Sequence, residues 1–465
     1  MVKIKHLKGL KLPAKASLFY TAASAVAKAA SMLFTPLFTR IMSKEEYGYY
    51  ALYVSVLGLT TVITTSLASG SVMYKGYAKY KGEEDKFCSA AFGLSLISII
   101  PVCFVVFLVR GFLGLGVELV PVLVLQLALD AAISAKCSRY KFSYSYGKGT
   151  LMTLSSALLS PVLSLFLIRY MDGSYSRIFG LLIISAIIAT PTIVESLRLG
   201  LFDGKMWKFC SQFSLALLPN AIAYSVIREA DKLILAAFMG RAALASYAVA
   251  HSVGMGLTFI TGSLGSALHP WMMRKLESRN EEQLYKTVGD ISAALASLSV
   301  FVVALAPEAL AILTPKAYTV ALPAILPTAL SVLPTFTLSA LAVISIHSGK
   351  PHYTSVASGI GALVNVISNI LLIPGLSYFG AGVSLLLAYA VANLVCILLL
   401  KRVTDAHRLY SPSLCLMFAV CAVLSAIMTA VWHNLAIRLL LLIIPTVLLL
   451  KILRSVKGYI RENFN

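Results

Sequence analysis

The sequence predicts an all-α polytopic membrane protein of about fourteen transmembrane helices, built as two six-helix repeated lobes around a central cavity plus two extra C-terminal helices. Three observations carry that expectation. Of the 465 residues 59% are hydrophobic and only 12% charged, apolar runs follow one another almost end to end, and one junction sequence recurs half a chain later. Soluble domains average about 45–50% apolar and about 25% charged residues. No water-facing surface accommodates the surplus, so a soluble enzyme is excluded. Run length selects helices: a hydrocarbon core of about 30 Å takes about 20 helical residues, whereas barrel strands alternate over segments of about ten.

In chain order, spans 1 to 7 are expected near 16–38, 47–70, 88–109, 112–135, 150–169, 178–197 and 214–238. Spans 8 to 14 follow near 243–268, 288–307, 322–346, 353–376, 381–400, 412–432 and 436–452, with twelve spans as the alternative count. Every connection is short. The organisation is therefore a basic tail (1–15), an N-lobe (16–198), an inter-lobe linker (199–213), a C-lobe (214–402), two further spans (412–453) and a second tail (454–465). The start, MVKIKHLKGLKLPAKA, has no compact apolar core followed by a small-residue cleavage site, and it reads as a retained tail.

The 39 Lys plus Arg against 19 Asp plus Glu leave a formal charge of +20. In a soluble protein that balance suggests nucleic acid; in a membrane protein it reports orientation first. The basic residues gather in alternate connections. Lys75, Lys79, Lys81 and Lys86 follow span 2 and Lys136, Arg139, Lys141 and Lys148 follow span 4, whereas Arg110 stands alone after span 3. Both termini are thereby placed in the cytoplasm, and no nucleic-acid partner is expected.

Met42-Ser-Lys-Glu-Glu-Tyr-Gly-Tyr-Tyr50-Ala-Leu, after span 1, is echoed after span 7 by Met239-Gly-Arg-Ala-Ala-Leu-Ala-Ser-Tyr247-Ala-Val. An even number of spans separates the copies, so both have one orientation and are related by an axis along the membrane normal. Coincidence between two helix junctions is the competing explanation.

Polar residues inside the spans are the candidate site. On span 1, Ser17, Thr21, Ser24, Lys28, Ser31 and Thr35 recur at steps of three and four, which places them on one face. On span 7, Asn220, Tyr224, Arg228 and Lys232 recur every four residues, with Asp231 adjacent and Glu229 off the stripe. Lys28, Arg228 and Lys232, with the polar Ser24, Ser31, Asn220 and Tyr224, form an expected binding surface for an anion such as a phosphate, Arg supplying a bidentate fork. Self-neutralisation of Arg228, Asp231 and Lys232 at i, i+3 and i+4 is the alternative. Asp231 and Asp130 are the carboxylates placed to couple an ion. The seven cysteines lack metal-ligand spacing and no metal site is expected. There is no GxxxxGK[ST] loop and no catalytic constellation, so neither ATP drive nor enzymatic activity is expected.

Pro36-Leu-Phe-Thr-Arg-Ile-Met-Ser-Lys-Glu-Glu-Tyr-Gly-Tyr-Tyr50 resembles the junction after the first span of bacterial polysaccharide flippases of the Wzx type, within the multidrug/oligosaccharidyl-lipid/polysaccharide exporter superfamily. Asp231-Lys-Leu-Ile-Leu-Ala-Ala-Phe-Met-Gly240 is similar to that family's seventh span. His347-Ser-Gly-Lys-Pro351, Gly361-Ala-Leu-Val-Asn365 and Asn369-Ile-Leu-Leu-Ile-Pro374 resemble its eleventh-span region. The resemblance runs over about residues 15 to 400. It implies a flippase of the bacterial inner membrane that moves undecaprenyl-diphosphate-linked oligosaccharide repeat units by alternating access, for polymers such as O-antigen or capsule. It also implies no cofactor, coupling to an H+ or Na+ gradient, and contact with membrane lipids, a polysaccharide polymerase and chain-length machinery. Lys232 stands where the family often has Arg, keeping charge without the fork. A drug/cation antiporter or a lipid II flippase are the alternatives; the charge-free span 2 argues against the latter, and short outer connections argue against a polymerase or ligase.

Overall fold

Every regular element among the described residues is helical. The computed structural model describes residues 26, 32–68, 70–143 and 145–452. Eleven of the described helices are long and apolar enough to cross a bilayer, or twelve if the bent pair Gly204–Leu215 and Leu217–Met239 is one span. Two facts separate that count from the expected fourteen. Span 1 lies mostly outside the described residues, which enter it as the apolar helix Met32–Ile41. Spans 11 and 12 form one 49-residue run, His352–Leu400, broken at Ser377 (φ 51°, ψ −128°) three residues after Pro374. Proline has no N–H to give the helix and its ring crowds the preceding turn, so the break falls next to it.

Local chemistry sets the helix ends. Lys44–Thr65 opens on a capping box in which Glu46 N–H donates to Ser43 Oγ (3.2 Å) and Ser43 N–H donates to a Glu46 carboxylate oxygen (2.7 Å). Glu84–Leu113 stops at Gly114, whose φ of 69° closes the last turn in the left-handed region. Gly240 (φ 83°) turns span 7, ending at Met239, into Arg241–Gly254. The seventh span bends by 53° between Leu215 and Leu217; the ring of Pro219 meets the carbonyl four residues back, at Leu215. Span 10 is likewise segmented, a tight 3₁₀ stretch Lys316–Ala324 leading into Ile325–Leu330 and Val332–His347.

The outward faces are apolar. Ile100 is 70% and Phe104 63% exposed on Glu84–Leu113, a surface that suits lipid and not water. The chain is a multi-pass membrane protein.

The described residues divide between Ser225 and Val226 into two compact units. In the first, Tyr77, Phe87, Ala91, Ala132, Ala189 and Cys210 centre the core. The short helix Gly70–Lys79, where the sequence suggested only a basic connection, contributes Val72, Met73 and Tyr77 to it and leaves Lys75 outside. Spans 5 and 6 pack through Gly180, where a Cβ would collide with Ser164 Oγ. In the second unit Val300, Leu333, Cys421 and Met428 form a core that includes span 13. Arg438 of Leu435–Leu441, 5% exposed, holds the two carboxylate oxygens of Glu308 at 2.6 and 2.8 Å and donates to Ala304 O. The guanidinium keeps the Glu308 carboxyl below the usual carboxylate range. Span 14 is thereby fastened to the end of span 9.

Candidate functional site

The charged residues of span 7 form one chain of contacts. Arg228 Nε donates to Glu229 Oε1 (2.9 Å) and Lys232 Nζ to Glu229 Oε2 (2.7 Å), so a single carboxylate bridges two cations. Glu229 lies one residue from Arg228 and three from Lys232, and the i, i+3 step brings it within reach. The Glu229 and Lys232 side chains are 10% and 14% exposed, whereas that of Arg228 is 46% exposed. Two cations and two carboxylates thus stand within five residues of one apolar helix, and the arginine is the member that faces outward from the protein interior.

Asp231 has different partners. It is fully buried, its Oδ1 accepts the Lys232 backbone N–H at 2.8 Å, and its Oδ2 accepts the Tyr247 hydroxyl at 2.5 Å. His251, one turn beyond Tyr247 on Arg241–Gly254, places Nε2 at 3.7 Å from the same Oδ2. Span 11 approaches this region through Gly361, where a Cβ would lie 3.2 Å from Ile227 Cδ1 and 2.9 Å from Ala388 O. Four and eight residues further on, Asn365 and Asn369 are completely buried, and Asn369 Nδ2 donates to Asn365 O (2.8 Å) and Oδ1 (3.1 Å).

The sequence-derived residues are distributed as follows. Lys28, Ser24 and Ser31 lie outside the described residues. Arg228, Asp231 and Lys232 come together, but the side chain that neutralises both cations is Glu229, set off the stripe by sequence reasoning, and not Asp231. Asn220 keeps a buried Oδ1 without a hydrogen-bond partner, and Tyr224 is part exposed. Asp130 accepts from Gln126 Nε2 at 2.8 Å, and Gln126 also donates to Ser185 Oγ at 3.1 Å, which makes a polar contact between spans 4 and 6. Tyr247 and His251 were not anticipated as a pair with Asp231. Their spacing of four, which puts two polar rings on one face of an apolar helix, is the signal that could have found them.

One end of the first unit is tied by ion pairs. Lys136 meets Glu195, Arg139 Nε meets Asp85 at 2.8 Å, and Lys86 meets Asp203 at 3.2 Å. The backbone N–H of Met206 and the Lys86 ammonium hold the Asp203 carboxyl below its ordinary range. Among the described residues no group of three or more His, Cys, Asp or Glu side chains is placed to hold a metal ion.

A model of the family described as "Polysaccharide biosynthesis protein" matches residues 37–323. Among solved structures the chain is similar to the lipid II flippase MurJ in an inward closed conformation, with 14% identity and a TM-score of 0.67 over 96% of this chain and 100% of that one. It is also similar to an inward-facing multidrug resistance MATE transporter of the MOP superfamily (13% identity, TM-score 0.63, 84% of this chain and 96% of that one). A MOP superfamily transporter from Pyrococcus furiosus gives 14% identity and a TM-score of 0.58 over 85% and 96%. At these identities the likeness is one of fold. Among curated proteins no sequence matches.

Proposed function

The chain belongs to the polysaccharide biosynthesis protein family, and from that premise we propose that it is a flippase that carries undecaprenyl-diphosphate-linked oligosaccharide repeat units across the bacterial inner membrane by alternating access. It serves surface-polysaccharide biosynthesis as a transporter and not as an enzyme. Both termini lie in the cytoplasm, in keeping with the basic residues of the alternate connections.

The observation that carries this reading is the carboxylate of Glu229 held between Arg228 and Lys232 inside a membrane span. Charges at that depth are costly and usually serve a pathway or a partner. Glu229 acts as an internal anion that satisfies both cations while the transporter is empty. A diphosphate carries more charge and more acceptor oxygens than one carboxylate, so it displaces Glu229 from Arg228, which is the exposed member and offers a planar fork. Lys232 follows as a point charge, and Lys28 adds a third cation. Ser24, Ser31, Asn220 and Tyr224 hydrogen-bond sugar hydroxyls. Asp231 and Asp130 are the carboxylates through which an H+ or Na+ gradient drives the cycle; no further cofactor is invoked.

The balance of two cations and two acids also suits a second reading, a drug/cation antiporter that binds its substrate on Glu229 or Asp231. Deleting the gene separates the two. The flippase reading expects undecaprenyl-linked glycan trapped on the cytoplasmic leaflet, restored to export by the wild-type gene and not by Arg228→Ala. Increased drug susceptibility with normal surface polymer would overturn it in favour of the antiporter.

A further inference from the structure

We infer that His251 is a proton-binding residue of this transporter, and that the proton its Nε2 takes up beside Asp231 raises the affinity of Arg228 and Lys232 for an anionic headgroup. The inference rests on the reading above for its substrate and on geometry for its site.

Asp231 is satisfied without His251. Its Oδ1 takes the Lys232 N–H and its Oδ2 takes the Tyr247 hydroxyl. His251 is 7% exposed, its Nε2 has no hydrogen-bond partner, and that nitrogen points at Asp231 Oδ2 from 3.7 Å. This is too long for a hydrogen bond and close enough to become one. A proton arriving from water bonds to the Nε2 lone pair, no other bond breaks, and the resulting imidazolium faces a carboxylate. The contact then shortens to the range of a charge-assisted hydrogen bond, about 2.7–2.9 Å.

The charged groups facing His251 are Asp231, Lys232 and Arg228, with Tyr247 on its own helix. Of the segments packed against Arg241–Gly254, Lys316–Ala324 carries Lys316 and Tyr318, and Ala306–Leu313 carries Glu308, which Arg438 holds. Ile325–Leu330 carries no titratable group, and Glu281–Ala304 carries Glu281, Glu282, Tyr285, Lys286 and Asp290 in its first three turns. The nearest acids are therefore those of span 7. One added proton changes that cluster from two cations and two carboxylates to a net charge of plus one. The extra charge favours an anion at Arg228 and Lys232, and by reciprocity a bound anion favours the proton.

Two measurements on the full chain in lipid nanodiscs test this. Binding of undecaprenyl diphosphate is compared at about pH 6 and about pH 8 in wild type and His251→Gln. The lipid's own titration adds charge as pH rises, and the variant reports that background. Relative to His251→Gln, the wild type is expected to tighten about tenfold at the lower pH; an identical pH dependence in both proteins overturns the proposal while leaving the flippase reading in place. The second measurement follows imidazole NMR of histidine-labelled protein, with the His251 signal identified by its loss in His251→Gln. It is expected to respond to pH, and its proton binding to weaken at least about tenfold in Asp231→Asn. A His251 signal that does not titrate, or that Asp231→Asn leaves unmoved, refutes the proton site whether or not the lipid binds. If folded wild type binds no undecaprenyl diphosphate at either pH, the flippase reading fails and takes the anion half of this proposal with it.

Discussion

Tyr50 and Tyr247 hold the same place in the two copies of the repeated junction, yet they face opposite charges. In the first unit Tyr50 accepts a hydrogen bond from Arg177 Nη2 at 3.1 Å, and the guanidinium lies 4.4 Å from the Tyr50 ring and 4.0 Å from that of Phe38. Glu46, four residues earlier, accepts the Gly173 N–H at 2.8 Å, and Tyr49 meets Glu118 at 3.3 Å. This junction is a clamp that ties the start of span 2 to the start of span 6 and to the segment before span 4. A cation stacked between two rings needs no titration to hold. In the second unit Tyr247 donates to the buried carboxylate of Asp231, next to the cations of span 7 and within reach of His251. The two aligned tyrosines thus differ in partner, a structural arginine in one case and an acid in the middle of a charged cluster in the other. Equivalent positions of the two junctions therefore stand in two different electrostatic settings.

The largest effect that would break this contrast comes from Glu229. In Glu229→Ala, Lys232 is left at 14% exposure without its acid, and removing one member of a buried pair costs about 3–5 kcal/mol. Thermal unfolding in detergent should show the loss, and adding undecaprenyl diphosphate should recover part of it, because a ligand that binds only the folded state stabilises it. Tyr247→Phe removes a hydrogen bond to a buried carboxylate and is expected to cost about 2 kcal/mol by the same assay and to slow transport. Arg438→Met tests the fastening of span 14 outside the site: a loss of about 1.5 kcal/mol with transport retained. The Glu308 carboxyl is held low by that arginine, so its share of the stabilisation is present above the unfolded carboxylate's range and is lost as pH falls through the folded one. Wild type should therefore lose its advantage over Arg438→Met in acid and not in alkali. Tyr50→Phe sits at the small end, about 0.5 kcal/mol, since the ring stack on Arg177 survives the loss of the hydroxyl. Equal losses from Tyr50→Phe and Tyr247→Phe would erase the distinction drawn between the two junctions.

Much of this was legible in the sequence because bilayer depth fixes helix length. Spans such as Gly173–Leu199 and Glu281–Ala304 fall where apolar runs demanded them. What escaped depends on partners distant in sequence. Apolarity alone cannot show that the chain passes from span 11 to span 12 in one run with a break at Ser377, because both sides of Pro374 are equally greasy. Gly70–Lys79 escaped because its lysines suggested a solvated loop, while Val72, Met73 and Tyr77 at helical spacing carried the opposite message. At the site, periodicity grouped Arg228 with Lys232, and both contact Glu229. It discarded Glu229 because a stripe drawn at steps of four ignores neighbours at one and three residues, and long side chains reach across that angle. The Tyr247 and His251 contacts with Asp231 join span 8 to span 7, and spacing along one helix says nothing about what its face meets.

The most direct test of the account is flipping of an undecaprenyl-diphosphate-linked oligosaccharide by the purified chain in proteoliposomes, wild type against Arg228→Gln with Lys232→Gln. The account predicts transport by wild type and a loss of at least about 100-fold in the folded double variant, the scale expected when two charge-assisted contacts are removed. Equal transport by both proteins would contradict it.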